Sequence, residues 1–214
     1  MSLVRRKGRS SATGVRRVRA HESFQTATEC IGTIEPGYSL FAITRGQFSM
    51  IDAILACMDQ VGPCRVSVWT WTIADYEVEV LTRMMVDKRI LRGRLVIDGG
   101  ARTKNADIIA HWVAHFGWDS VRYVMNHAKL ATVETDKYRL LLRGSMNLNF
   151  NPRFEQFDIT EGGEDFELVR SIEDALPILA PTVSGQKIYE ASRVAEAFSM
   201  EDMAIFNGSK VFTL

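Results

Sequence analysis

One stretch of the sequence carries several side chains that suit phosphate chemistry. His127 and Lys129 stand two residues apart, and Gly144, Ser145 and Asn147 follow a short apolar run. Residues two apart on a strand project to the same face, so each pair should present its side chains together. Lysine supplies positive charge, serine and asparagine supply hydrogen-bond donors, and glycine lets the backbone approach closely. The pattern predicts an anion site that contains a histidine.

A histidine in such a site can act as the nucleophile. It attacks phosphorus through a neutral ring nitrogen, provided that an acceptor holds the proton on the other nitrogen. The acceptor that we expect is Glu155 in the segment NPRFEQFDI, with Asp158 as the second candidate. Gly144 and Asn149 are expected to line the phosphate. The pattern therefore predicts displacement at a phosphodiester.

These residues resemble the signature of the phospholipase D superfamily, His-x-Lys-x4-Asp-x6-Gly-Ser-x-Asn with a later glutamate. The likeness covers residues 125–159. Two features depart from the signature: Glu134 replaces its aspartate, with Asp136 two residues further on, and the interval before the Gly-Ser pair is three residues longer. A longer hairpin turn accommodates the extra residues. The residues at the matching positions are His127, Lys129, Gly144, Ser145, Asn147 and Glu155.

The resemblance implies a catalytic site made of two histidines, without a metal or another cofactor. One histidine forms a phosphohistidine, and the other protonates the leaving oxygen and then activates water. None of the other histidines, His21, His111 and His115, has a lysine two residues on. A two-fold dimer would present the same patch twice. The resemblance to short single-motif members, bacterial endonucleases among them, thus implies a homodimer with a composite site.

The surrounding segments predict an α/β fold with a mixed, largely parallel β-sheet flanked by helices. The resemblance implies that this fold is a phospholipase D-like α-β-α sandwich. Strand-like and helical periodicities alternate before the motif, and a hairpin with a turn at 135–137 follows. Strands are expected at 38–43, 65–71, 93–98, 120–125, 127–134, 138–145 and 155–160, and helices at 46–60, 75–90, 105–117 and 165–179.

The charge is unevenly distributed, although the formal net charge is zero. Seven of the 26 basic residues precede the first acidic residue, Glu22. We expect residues 1–22 to be a flexible basic arm that binds nucleic acid through arginines such as Arg5, Arg6, Arg16 and Arg17, or else a solvated terminus without a partner. Residues 23–214 would then form the catalytic domain, which ends in a helical segment.

The composition excludes several classes of protein. No stretch has the roughly 18 uncharged apolar residues of a membrane-spanning helix. The basic start lacks the apolar core of a secretory signal. Cys30, Cys57 and Cys64 are odd in number and lack a CxxC spacing, which favours free thiols in a reducing compartment. We therefore expect a cytoplasmic protein that is not an integral membrane enzyme.

Other residues have two interpretations each. His111 and His115 stand four apart on a helix and could bind zinc, but Trp112 occupies the glutamate position of HExxH, which favours ordinary helix histidines. Trp69 and Trp71 alternate on a strand, where they could stack bases or belong to the core.

The loop at 98–107 places Arg102 and Lys104 between a strand and a helix, where they meet phosphates or simply connect the elements.

The leading prediction is a metal-independent DNA endonuclease that works as a homodimer. The alternatives are a phospholipid-cleaving or phospholipid-transferring enzyme, and a catalytically inactive protein of nucleic-acid binding or assembly. Because Glu134 stands where the signature has aspartate, the catalytically inactive protein stays an alternative.

Overall fold

The computed structural model describes residues 16–149 and 152–178 of the 214-residue chain. Arg5, Arg6 and the C-terminal segment expected to be helical lie outside the described residues. The strands are β1 (Arg17–Ala20), β2 (Ser39–Arg45), β3 (Cys64–Thr70), β4 (Ile90–Asp98), β5 (Val121–Val124), β6 (Leu130–Glu134), β7 (Arg139–Gly144) and β8 (Phe154–Glu161). The helices are α1 (Ala27–Ile31), α2 (Met50–Val61), α3 (Asp75–Val86), α4 (Ala101–Lys104), α5 (Ala106–Phe116) and α6 (Glu164–Ala175).

The eight strands form a single mixed sheet in the order β1-β2-β8-β7-β6-β3-β4-β5. The pairs β1·β2, β3·β4 and β4·β5 are parallel, and the other four pairs are antiparallel. The predicted α/β class with a mixed sheet flanked by helices is confirmed, but with three parallel pairs among seven the sheet is less parallel than expected. At one end of the sheet β2, β3, β4 and β7 finish while β6 and β8 begin, and we call this the site end.

The main hydrophobic core lies on one face of the sheet. It joins alternate strand residues, such as Val66, Ala131 and Phe157, to the apolar sides of α1, α2, α3 and α5. On the other face α6 packs beside β7 and buries Phe166 completely. The sheet therefore carries helices on both faces among the described residues.

Local sequence explains where the principal elements begin and turn. Ser49 and Asp52 form a capping box at the start of α2, in which the Ser49 backbone N–H donates to the Asp52 carboxylate at 2.7 Å. At the hairpin, the Thr135 hydroxyl accepts from the backbone N–H groups of Lys137 (3.1 Å) and Tyr138 (2.9 Å). The predicted hairpin between β6 and β7 is confirmed.

Part of the expected arm is ordered as a strand. Residues 17–20 form β1 and pair in parallel with the outer edge of β2. The Arg17 guanidinium donates to the Thr33 carbonyl at 3.0 Å and lies over the Tyr38 ring at 5.2 Å. The prediction of a flexible arm up to residue 22 is therefore wrong for this segment, because the free edge of β2 satisfies its backbone groups.

The three cysteines are free thiols, as predicted, and all are buried. Burial raises the pKa of Cys30 to about 12 and that of Cys64 to about 11, and it raises the pKa of Cys57 as well. Separately, no helix in the described part of the chain is long and apolar enough to cross a bilayer.

Candidate active site

The predicted catalytic residues lie at the site end, in β8 or next to the ends of β6 and β7. His127 and Lys129 occupy the extended segment between β5 and β6, Ser145 and Asn147 directly follow β7, and Glu155 is the second residue of β8. The order β8-β7-β6 in the sheet brings these chain segments side by side.

His127 is exposed and Lys129 is half-buried, and the two side chains form one unit. The Lys129 ammonium donates to the His127 backbone carbonyl at 2.8 Å, and its nitrogen lies 3.4 Å from each ring nitrogen. The prediction that both residues belong to a strand is wrong, because β6 begins at Leu130. Their side chains are nevertheless adjacent, and the imidazole is open to solvent.

Asn126 determines the shape of the segment that carries His127. Its side-chain amide donates to the carbonyls of Thr70 (3.0 Å), Val96 (3.4 Å) and Ala128 (3.3 Å), and its carbonyl oxygen accepts from the Ala128 N–H at 2.9 Å. These bonds join the segment to β3 and β4, so it runs outside the regular ladder. Asn126 is buried and was missed by the sequence analysis, although its place two residues after β5, just before the His-x-Lys pair, could have indicated it.

Ser145 is held against β8. Its hydroxyl donates to the Glu155 carboxylate and accepts from the Gln156 N–H at 3.1 Å, while its own N–H donates to the Gln156 carbonyl at 3.0 Å. Gly144 makes this approach possible, since a Cβ there would lie 2.3 Å from the Gln156 carbonyl oxygen. The glycine expected to line the phosphate thus has a clear role in strand packing.

The charges of Lys129 and Glu155 are coupled through space. Burial lowers the pKa of Lys129, and the negative charge of Glu155 partly offsets that effect. Glu155 was predicted to orient the imidazole, whereas its described contacts are with Ser145 and, electrostatically, Lys129. His127, Lys129, Ser145 and Glu155 therefore form a connected polar cluster.

Asp158, the second candidate for orienting the histidine, is engaged elsewhere. Its carboxylate forms an ion pair with Arg143, which also bonds to Asp165 at 2.7 Å. This carboxylate stabilises the contact between β7, β8 and α6. It does not belong to the cluster around His127.

The segment after β7 is attached to the end of β3. The Leu148 N–H donates to the Thr70 hydroxyl at 3.1 Å, and the Leu148 carbonyl accepts from the Ala74 N–H at 3.2 Å. Asn147 and Asn149 flank this anchor and are partly buried. The side-chain oxygen of Asn147 is buried and has no hydrogen-bond partner among the described residues. Phosphate contacts by Asn147 and Asn149 stay predictions.

Trp69, in β3, and Trp71, just after it, have different environments. The Trp69 indole N–H donates to Glu173 at 2.7 Å, which ties β3 to α6. Trp71 is 49% exposed, and its ring lies 5.7 Å from the His127 ring. Trp71 therefore belongs to the surface of the candidate site.

Arg102 does not face the solvent as the sequence suggested. It is only 9% exposed, and its guanidinium lies over the Tyr123 ring at 4.9 Å. Lys104 is exposed at the end of α4, which follows β4 at the site end. A phosphate contact by Lys104 stays a prediction, whereas Arg102 packs within the protein.

The described arginines of the expected arm lie away from the site. The Arg16 guanidinium lies over Phe41 at 5.3 Å, and Arg17 is bound to the carbonyl of Thr33. Phe41 is four residues before Arg45, the last residue of β2, which is about 13 Å at the rise of a strand. Arg16 and Arg17 therefore do not contact a phosphate at His127 within one subunit.

Glu134, at the position of the signature aspartate, lies at the opposite end of β6 from the site. Its carboxylate is 3.8 Å from both Arg65 and Arg170. Asp136 is fully exposed and 4.0 Å from Arg65. Of the two acidic residues, Glu134 is the one that links the sheet to α6, and this is a structural role.

His111 and His115 pack against each other on α5, with ring centroids 5.2 Å apart. Asp75 lies 3.6 Å from His111. Within residues 16–149 and 152–178, no three histidine, cysteine, aspartate or glutamate side chains are placed to hold a metal ion.

Comparison with known proteins gives little further information. No protein-family model matches the chain, and no curated protein matches it. Among solved structures the chain is similar to TrmBL2, an archaeal chromatin protein whose structure shows a novel mode of DNA binding, at 9% sequence identity and a TM-score of 0.41. The match covers 70% of this chain and spans 57% of that protein.

Proposed function

We propose that this chain is a metal-independent phosphodiesterase that cleaves DNA as a homodimer. The observation that carries the proposal is the exposed His127 imidazole with the Lys129 ammonium 3.4 Å from its ring, beside the Ser145 and Glu155 pair. A nucleophile, a cation and a hydroxyl donor are the groups that displacement at phosphorus requires. No cofactor is assigned, because Lys129 and Ser145 of both subunits supply the charge stabilisation.

The proposed reaction has two steps. A neutral ring nitrogen of His127 attacks phosphorus, the bond to the leaving oxygen breaks, and His127 of the partner subunit gives that oxygen a proton. The same imidazole of the partner subunit then takes a proton from water, whose oxygen attacks phosphorus and breaks the P–N bond. The products are a phosphomonoester and a free hydroxyl, and both histidines return to their starting state.

The assignment of DNA as the substrate rests on charge. Seven basic residues precede the first acidic residue of the chain. Such a cluster favours a polyanion over a neutral lipid surface. The dimer supplies the second histidine, since His127 alone is followed by a lysine two residues on.

The test is a DNA-cleavage assay in excess EDTA with wild type and His127→Ala, on supercoiled plasmid and on a single-stranded oligonucleotide. The wild type should cleave at least one of the two substrates, and the variant should lose activity by at least about a hundredfold, the usual contribution of a catalytic proton-transfer group. His115→Ala is the matched control, because His115 is an exposed histidine on α5. The mass of the same samples should be twice that of the chain.

Three results would contradict the proposal: cleavage retained by His127→Ala, cleavage that requires magnesium, or an active monomer. The same proteins are also incubated with phospholipid vesicles. Hydrolysis of the phospholipid without cleavage of DNA would favour the phospholipid enzyme instead.

A further inference from the structure

Two exposed aromatic side chains stand on either side of the candidate site. Trp71 is 49% exposed and follows β3, and Phe154 is 61% exposed and begins β8. Large aromatic side chains are costly to leave in water, so their exposure beside a polar cluster indicates a surface that binds something.

Both rings are associated with groups that suit an anionic chain. Trp71 lies 5.7 Å from the His127 ring. Phe154 lies under the Arg45 guanidinium, at 5.5 Å, and in edge contact with the His21 ring at 5.2 Å. Aromatic faces next to cations are the combination that holds unpaired nucleotides, in which bases stack and phosphates are neutralised.

The spacing of the two rings follows from the order of the strands. Three strand intervals separate β8 from β3, which is about 14 Å at the usual distance between strands. At about 3.4 Å per stacked nucleotide this span corresponds to roughly four nucleotides, and to fewer in an extended strand. His127 and Lys129 directly precede β6 and Ser145 directly follows β7, and both of these strands lie within this interval.

We infer that the site end binds single-stranded DNA, with one base stacked on Trp71, another on Phe154, and the scissile phosphate between them at His127. The inference deepens the proposed function and rests on it for the position of the phosphate. In a duplex each base face is covered by its neighbours, so neither ring finds a free partner. The surface therefore selects unpaired DNA.

The test measures binding separately from cleavage. Fluorescence anisotropy in EDTA, on the His127→Ala background, compares a short labelled strand with the duplex of the same sequence. Trp71→Ala and Phe154→Ala should each weaken binding of the strand by about tenfold, the effect of losing one stacked base, and leave binding of the duplex unchanged. Trp118→Ala, which removes an indole that is 45% exposed before β5, is the matched control and should change neither.

A second pair of variants distinguishes the loss of the aromatic ring from misfolding of the variant. Trp71→Phe retains an aromatic face and should keep most of the affinity, whereas Trp71→Leu retains only apolar bulk and should behave like Trp71→Ala. Equal binding of strand and duplex by the parent protein, or equal losses for Trp71→Ala and Trp118→Ala, would overturn the inference. So would a change of oligomeric mass in Trp71→Ala, since the ring would then be a contact between subunits. If Trp71→Ala and Phe154→Ala weaken binding of the strand as expected but the wild type cleaves no DNA, only the proposed nuclease activity would be contradicted.

Discussion

Lys129 and Ser145 show how single residues limit the proposed chemistry. A serine has one hydroxyl proton, and Ser145 gives it to Glu155. The Ser145 hydroxyl must therefore give up its hydrogen bond to Glu155 and donate to the entering phosphate instead before it can stabilise that phosphate. Lys129 has no such restriction, because an ammonium group carries three donors and can bind the phosphate while it holds the His127 carbonyl.

The charge on Lys129 predicts the alkaline limit of DNA binding at the site. Burial lowers its pKa, and the cationic form is the one that holds a phosphate, so affinity falls as the pH rises through a value below that of an ordinary lysine. Lys129→Arg should move this limit to higher pH, because a guanidinium stays protonated. The measurement is the affinity for a labelled oligonucleotide as a function of pH on the His127→Ala background, where no imidazole proton at position 127 contributes. Lys137→Arg, on the exposed hairpin turn, should leave the limit in place; a limit unaffected by Lys129→Arg would contradict the assignment.

At the scale of elements, α6 is attached to the sheet by a fully buried carboxylate. Glu173 accepts hydrogen bonds from the Trp69 indole (2.7 Å), Arg94 (3.1 Å), Arg170 (2.8 Å) and the Ser67 hydroxyl. The last turn of the helix is thereby joined to β3 and β4. Removing the carboxylate would take this acceptor away from the buried Ser67 hydroxyl and the Trp69 indole and would leave the two arginines without their buried countercharge.

Glu173→Ala should therefore lower the free energy of unfolding by about 3 to 5 kcal/mol, the usual cost of breaking a buried charged network. Asp174→Ala is the matched control, since Asp174 is the next residue, is 59% exposed and bonds to the same Arg94. It should cost less than about 1 kcal/mol. Urea unfolding followed by circular dichroism measures both values. Similar losses for the two variants would show that Glu173 does not anchor the helix.

The sequence predicted the elements whose burial is periodic and missed the contacts that join distant residues. The strands from β2 to β8 and the helices α2, α3, α5 and α6 were expected near their observed bounds, because alternation and helical spacing report local burial. β1 was missed, since four residues among arginines carry no such periodicity. The motif brought His127, Lys129, Ser145 and Glu155 to attention, and the structure places them in one cluster, but the bonds from Asn126 to Thr70 and from Glu173 to Ser67 span 56 and 106 residues, and no local pattern encodes them.

For the whole molecule, the basic start and the acidic remainder predict a binding affinity that depends strongly on salt. Deleting residues 1–15 removes Arg5, Arg6, Lys7 and Arg9 but keeps β1, which a longer deletion would disrupt. The deletion should weaken DNA binding and reduce the slope of log affinity against log salt by about 0.7 to 0.9 for each phosphate that the protein no longer neutralises. Titrations at several salt concentrations give this slope.

The full-length chain with the same four residues changed to glutamine is the control for the deletion. It should reproduce the weaker binding, because the effect belongs to the charge and not to the length of the chain. An unchanged slope in both variants would mean that the basic start is solvated and has no phosphate partner.

The burial of all three native thiols has a practical consequence for spectroscopy. A maleimide dye or nitroxide reacts with thiolates at the surface, and Cys30, Cys57 and Cys64 offer none in the folded protein. One cysteine introduced at an exposed position is therefore the sole target for labelling, with no need for a cysteine-free background. Double electron–electron resonance between two such labels, one on each subunit at a position near His127, then measures the distance between the two copies of the candidate site in the proposed dimer.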